Sequence, residues 1–341
     1  MRMSLLQIAC AIFVFSSCIN IESSLKADSK NDPKSAANKY DPMECNQENQ
    51  IKTLDIRYQD KTRNRDIPIR VYLPDSKNTA PVLIFSHGLG GSCLNNAYLG
   101  SHWSKRGFVV VYLQHKGSDD SVWKNKSTVD AVKDMKKAAN AENLFLRMKD
   151  VSVVIDQLEK WNMEREHELY NRMNLGKIGM SGHSFGALTS QAVSGQYFRI
   201  SGVEADPRIK ASVLLSPTIP KLMSEKVAFE HVKIPWLIMT GTHDNSIIND
   251  TDAASRMKVF PALPKGDKYE LVLNKAEHSA FNDKGLPKDK LPRNPNHHKS
   301  ILAISTAFWD AFLLENQEAK AWLNSDAVKF LLEKEDRWLK K

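Results

Sequence analysis

Residues 182–186 read Gly182-His183-Ser184-Phe185-Gly186, a serine bracketed by glycines. The run Lys177-Ile178-Gly179-Met180-Ser181 before it reads as a strand. Ala187-Leu188-Thr189-Ser190-Gln191-Ala192-Val193 after it reads as the start of a helix. A serine on so tight a strand-to-helix turn is held in a strained conformation that points its hydroxyl outward, and flanking glycines keep neighbouring side chains from colliding. That hydroxyl stays protonated at neutral pH, so it attacks a carbonyl only when a base takes its proton. Two later stretches supply the base and its partner. The buried-strand pattern Ile234-Pro235-Trp236-Leu237-Ile238-Met239-Thr240-Gly241 runs into Thr242-His243-Asp244, which puts Asp244 at a strand's carboxyl end. The strand Lys268-Tyr269-Glu270-Leu271-Val272-Leu273 is followed by a loop that carries His278 to the same edge. In this arrangement His278 accepts the Ser184 proton, while Asp244 fixes the tautomer and stabilises the imidazolium.

A fourth feature is the glycine-rich turn His87-Gly88-Leu89-Gly90-Gly91, directly after the strand Pro81-Val82-Leu83-Ile84-Phe85-Ser86. Its place predicts an oxyanion hole made from the backbone N–H groups of Leu89 and Phe185. Acyl transfer by three side chains and two amides needs no metal and no organic cofactor. The remaining histidines have blander readings. His183 packs beneath the serine turn, His87 holds its loop by a hydrogen bond, and His243 points away from Asp244. His115 lines the pocket or caps a turn. His297-His298 lacks a cysteine or carboxylate at ligand spacing and reads as exposed loop rather than a metal pair. Asp250 and Asp252 are fallback acids that do not directly follow a strand. Phe185, Trp236 and Met180 read as core.

These groups need a scaffold that brings strand ends together. Strands are expected at about 53–59, 66–73, 81–86, 108–113, 177–181, 210–215, 234–241 and 268–273. Helices are expected near 94–106, 141–161 and 300–314. In the second of these Leu144, Met148, Val151, Ile155 and Leu158 recur at helical spacing. Such alternation implies a mostly parallel central sheet with helices on both faces. The polar stretch 114–140 is an insertion at the catalytic edge, suited to shaping a pocket. The last residues, 330–341, read as an amphipathic helix.

Length and charge bound the rest. The chain has 341 residues and a net charge of +8, with lysines interspersed among acids, the pattern of a solvated surface and not of a nucleic-acid module. Residues 1–18 combine Arg2, an apolar stretch too short to span a bilayer, and Phe15-Ser16-Ser17-Cys18. The leader has two readings: a lipoprotein signal with Cys18 as the lipidated residue, or an ordinary secretory signal. Both predict export, either to the periplasm or outer membrane or into the medium. Residues 19–50 are polar and read as a flexible tether. Residues 51–341 then form one domain. Cys45 and Cys93 are free to pair only if the fold brings them together.

With these motifs in order, the chain resembles the α/β-hydrolases over about residues 51–315. Ser86-His87-Gly88-Leu89-Gly90 together with Gly182-His183-Ser184-Phe185-Gly186 is similar to the plasma-type platelet-activating-factor acetylhydrolases, to bacterial polyester hydrolases and to the serine branch of dienelactone-hydrolase-like proteins. The resemblance implies the α/β-hydrolase fold and a serine esterase with Ser184, Asp244 and His278 as its triad; the alternatives are a peptidase or amidase, or a catalytically silent hydrolase-fold protein that binds a lipid or partner. Leu89 and Phe185 would then serve the oxyanion, and the substrate would be a small-molecule, lipid or polymer ester.

Overall fold

The computed structural model describes residues 40–45, 50–198, 204–220, 223–286 and 288–341. The expected export signal with Cys18, and most of the expected tether, lie outside the described residues. Among the described residues nine strands form one sheet in the order β1-β2-β4-β3-β5-β6-β7-β8-β9. They are β1 Ile51–Asp60, β2 Arg65–Pro74, β3 Ala80–Ser86, β4 Val109–Leu113, β5 Met173–His183, β6 Ile209–Leu215, β7 Trp236–His243, β8 Lys268–Glu277 and β9 Arg337–Lys340. The pairs from β4 through β3, β5, β6 and β7 to β8 are parallel, while β1 with β2, β2 with β4 and β8 with β9 are antiparallel. This is the α/β-hydrolase fold.

The central strands read as unbroken apolar runs because both faces are covered. Successive side chains alternate between the faces. Leu83, Phe85, Val110 and Tyr112 pack on the side of the helices Ala97–Arg106, Pro295–Phe312 and Gln317–Asn324. Val82, Ile84, Val109 and Val111 pack on the side of the helix Ala141–Met163. No helix among the described residues is long and apolar enough to cross a membrane. Cys45 and Cys93 are free thiols, with Cys93 buried against Gln114.

The C-terminus departs from its expected helix. Residues Arg337–Lys340 form β9, which pairs with Val272 to Tyr269 at the edge of β8, and Trp338 stacks on Tyr269 with ring centroids 5.6 Å apart. The open backbone of an edge strand outweighs the local helical pattern, as tertiary pairing often does. At the other end, residues that read as tether dock on the domain. The buried Tyr40 donates to Asp310 at 2.5 Å, and Arg106 binds Asp310 together with the Asp41 and Glu44 carbonyls.

β8 also carries the buried Glu270, whose Oε1 has no hydrogen-bond partner among the described residues. Burial raises its carboxyl to about 7, against the opposing pull of Arg337 and Lys341. A carboxyl raised above its unfolded value favours the folded state when protonated, and that advantage is lost as pH rises through about 7. Glu270→Gln is therefore expected to stabilise the protein at pH 8 by about 1–3 kcal/mol and to change little at pH 5. Denaturant unfolding at both pH values checks this, and an equal shift at the two would contradict it.

Candidate active site

β5 ends at His183, and Ser184 turns directly into the helix Phe185–Val193. Ser184 sits at φ 58°, ψ −115°, a left-handed conformation rare for a side-chain-bearing residue. A Cβ on Gly182 would overlap the Gly186 carbonyl, and one on Gly186 would overlap the Ser86 carbonyl. The two glycines are thus required by close backbone approach, which locks the turn in its strained state. Ser184 N–H donates to Leu215 O at 2.9 Å, tying the turn to β6.

β7 and β8 deliver the other two groups. Asp244 is the residue after β7, and His278 follows β8 at the start of the 3-10 turn His278–Phe281. His278 Nε2 lies 2.9 Å from Ser184 Oγ, and its Nδ1 lies 2.6 Å from Asp244 Oδ1. With the carboxylate as acceptor, Nδ1 carries the proton and Nε2 is left free to accept one from Ser184. Ser184 and His278 are half-buried while Asp244 is fully buried.

Asp244 has a partner that the sequence reading missed. Arg256, buried on the four-residue helix Ala253–Arg256, places Nε 3.1 Å from Asp244 Oδ1. It also donates to the carbonyls of Asp244, Ser216 and Pro217, and Thr240 Oγ1 donates to Asp244 Oδ2. Burial alone would raise the Asp244 carboxyl. Arg256 and then His278 overcome that effect and hold it well below the usual carboxylate range. Removing one member of a buried ion pair strands the other, so Arg256→Met should destabilise the fold by about 3–5 kcal/mol. A chemical-denaturation shift below about 1 kcal/mol would show that Asp244 does not depend on this charge.

The alternatives fall elsewhere. Asp250 is exposed. Asp252 is exposed too and caps the helix Ala253–Arg256, accepting from Ser255 N–H at 2.8 Å. His243 is exposed beside Thr242. His183 is buried and reaches the His278 carbonyl with Nε2 at 3.1 Å. Its burial, followed by the His278 charge, pushes its imidazole well below the ordinary value. Trp236 and Met180 are core, and Phe185 is half-buried.

Two histidine readings change. His115 does not line a pocket. It is wholly buried, with Nε2 2.9 Å from Ser86 Oγ and Nδ1 3.0 Å from Asp150 Oδ2, and Asp150 in turn binds Arg65. This places Ser, His and Asp in sequence a second time, but sealed from substrate. Nor are His297 and His298 exposed loop residues. They lie in the first turn of the helix Pro295–Phe312. His297 is buried against the Asn274 carbonyl, and His298 is stacked on Tyr98 at 4.0 Å. No group of three or more His, Cys, Asp or Glu among the described residues could hold a metal ion.

The glycine-rich turn lies against the serine. A Cβ built on Gly88 would be 3.5 Å from Ser184 Cβ, ordinary van der Waals contact. Within the turn, Gly90 N–H donates to Ser118 O at 2.9 Å and Gly91 N–H to Gly88 O at 3.0 Å. Phe185 is the first residue of its helix, where the N–H has no intrahelical acceptor and the helix dipole favours negative charge.

The sheet order and the Ser184 turn place the chain among the α/β-hydrolases. Within that class, residues 69–159 match the family model of platelet-activating factor acetylhydrolase, isoform II. The matched segment holds the His87–Gly91 turn and the helix Ala141–Met163 up to residue 159, and ends before Ser184. The acetylhydrolases are thus proteins this chain is similar to, and the roles of Ser184, Asp244 and His278 rest on geometry. A search of curated proteins found no match.

Proposed function

We propose that the chain hydrolyses carboxylic esters through an acyl-enzyme on Ser184. The observation that carries this reading is the His278 imidazole, held between Ser184 Oγ at 2.9 Å and Asp244 Oδ1 at 2.6 Å. Nε2 takes the hydroxyl proton as Oγ attacks the ester carbonyl. The carbonyl oxygen becomes an oxyanion that the Leu89 and Phe185 N–H groups bind, and His278 returns the proton to the departing alcohol. Water then cleaves the acyl-enzyme by the same route. Asp244, kept ionised by Arg256 and His278, stabilises the imidazolium at each stage.

The test is a series of p-nitrophenyl esters from acetate to palmitate. Hydrolysis is expected without added metal or cofactor, and the acetylhydrolase similarity makes the short acyl end the first place to look. No turnover above that of Ser184→Ala on any member would contradict the reading. Export through residues 1–18, with Cys18 as the membrane-anchored residue, belongs to the same proposal. The mass of the mature N-terminus tests it: a diacylglyceryl cysteine supports anchoring, and an uncleaved Met1 contradicts export.

A further inference from the structure

The helix Ala141–Met163 packs on the sheet through its apolar face, yet it buries an arginine completely at its N-terminal half. Arg147 Nη1 donates to His87 O at 2.7 Å and to Ser86 Oγ at 3.3 Å. Nε donates to Ser118 Oγ at 2.8 Å and Nη2 to Ser118 O at 3.3 Å. Its guanidinium lies over the Phe185 ring, 4.4 Å from the centroid. These hydrogen-bond partners are two backbone carbonyls and two hydroxyls, with no carboxylate among them. What the guanidinium adds is a rigid planar fork.

The prongs of that fork go to informative places. His87 and Ser118 belong to the two segments that clasp each other through Gly90 N–H and Ser118 O. Trp123 Nε1 closes the clasp from outside, donating to Gly90 O at 2.6 Å. His87 Nε2 accepts the His115 backbone N–H at 3.0 Å, which leaves the proton on Nδ1 to be donated to Gly88 O at 2.6 Å. Gly88 O and Leu89 N–H are the two ends of one rigid peptide plane. A hydrogen bond at the carbonyl end orients the plane and strengthens the N–H as a donor.

We infer that Arg147 is a positioning residue for the oxyanion hole, bracing the Leu89 peptide through His87 and Ser118 and the Phe185 donor through its ring. This inference rests on the esterase reading above. Arg147 touches no reacting atom in it. Its contribution is to hold two amides where charge develops on the carbonyl oxygen, so its loss weakens the transition state more than the bound substrate.

Arg147→Met, Arg147→Lys and Ser118→Ala would be compared with the wild type on p-nitrophenyl acetate and with a trifluoromethyl ketone inhibitor, a mimic of the tetrahedral intermediate. Arg147→Met should lower kcat about tenfold to a hundredfold, below the full cost of losing one oxyanion donor, with KM within about threefold. The ketone's inhibition constant should rise in step with KM/kcat across the variants, and Lys should restore part of the loss. Folded Arg147→Met with wild-type kcat would overturn the inference. If Arg147→Met does not fold, unchanged kcat and ketone affinity in both Arg147→Lys and Ser118→Ala would overturn it equally. A wild-type protein inert to the ester would instead sink the esterase reading, and this inference with it.

Discussion

Ser184→Ala is expected to abolish ester hydrolysis, by about a millionfold if the three side chains act as a unit. The fold should survive. The turn is set by Gly182 and Gly186, whose Cα positions allow no side chain, and Ala at 184 carries the same Cβ strain as Ser. Stability should therefore change by less than about 1 kcal/mol. Ser184→Gly separates strain from chemistry. It should be equally inactive but more stable by about 1 kcal/mol, because glycine adopts φ 58° without steric cost. A purified, folded Ser184→Ala retaining more than about a tenth of wild-type turnover would remove Ser184 as nucleophile, since no residual mechanism supplies that much.

Asp244→Asn carries the second largest expected effect, about 10,000-fold in turnover by analogy with other triads. The carboxylate at 244 accepts from His278 Nδ1, Thr240 Oγ1 and the Arg256 Nε–H. An amide has one oxygen for these three donors. Oδ1 serves both His278 and Arg256, and Oδ2 serves Thr240. The NH2 therefore takes either the Oδ1 side, where His278 presents its unprotonated nitrogen to Asn and its N–H to Ser184, or the Oδ2 side, where the neutral amide oxygen left facing His278 carries no charge to stabilise the imidazolium. Either outcome disables the base. Asp250→Asn should stay within about twofold of wild type, as an exposed change far from such a network. The same holds for Asp252→Asn, because Asn caps a helix as well as Asp does. Kinetics on the three variants decide the assignment, and near-normal rates for Asp244→Asn beside a collapse at Asp250 or Asp252 would reverse it.

The groups legible in the sequence share a physical property: each lies at the end of a strand buried on both faces, and such strands print as apolar runs. Val82 to Phe85, Trp236 to Met239 and Leu271 to Leu273 are all fully buried, so the residues just past them, His87, Asp244 and His278, could be placed at one edge without coordinates. The charged scaffolding behind that edge left no such trace. Arg256 reaches Asp244 from a helix of four residues, too short for any periodicity. Arg147 and Asp150 sit among the apolar residues of a helix whose pattern reads as ordinary packing, and Asp150 pairs with Arg65, 85 positions away in the chain. Long-range pairing of buried charges has no local signature. The same limit applies to β9, whose partner strand lies some seventy residues upstream. The place of His115 after β4 points to the same edge, but the Ser86 and Asp150 partners that turn it inward are equally non-local.

The central claim is that Ser184, activated by His278, is a working nucleophile. The most direct measurement is reaction with a fluorophosphonate, followed by mass mapping of the adduct. One phosphonyl group per chain is predicted, on the peptide containing Ser184, lost in Ser184→Ala and strongly slowed in Asp244→Asn. A folded wild-type chain that takes up no label, or that carries it on another residue, would contradict the account.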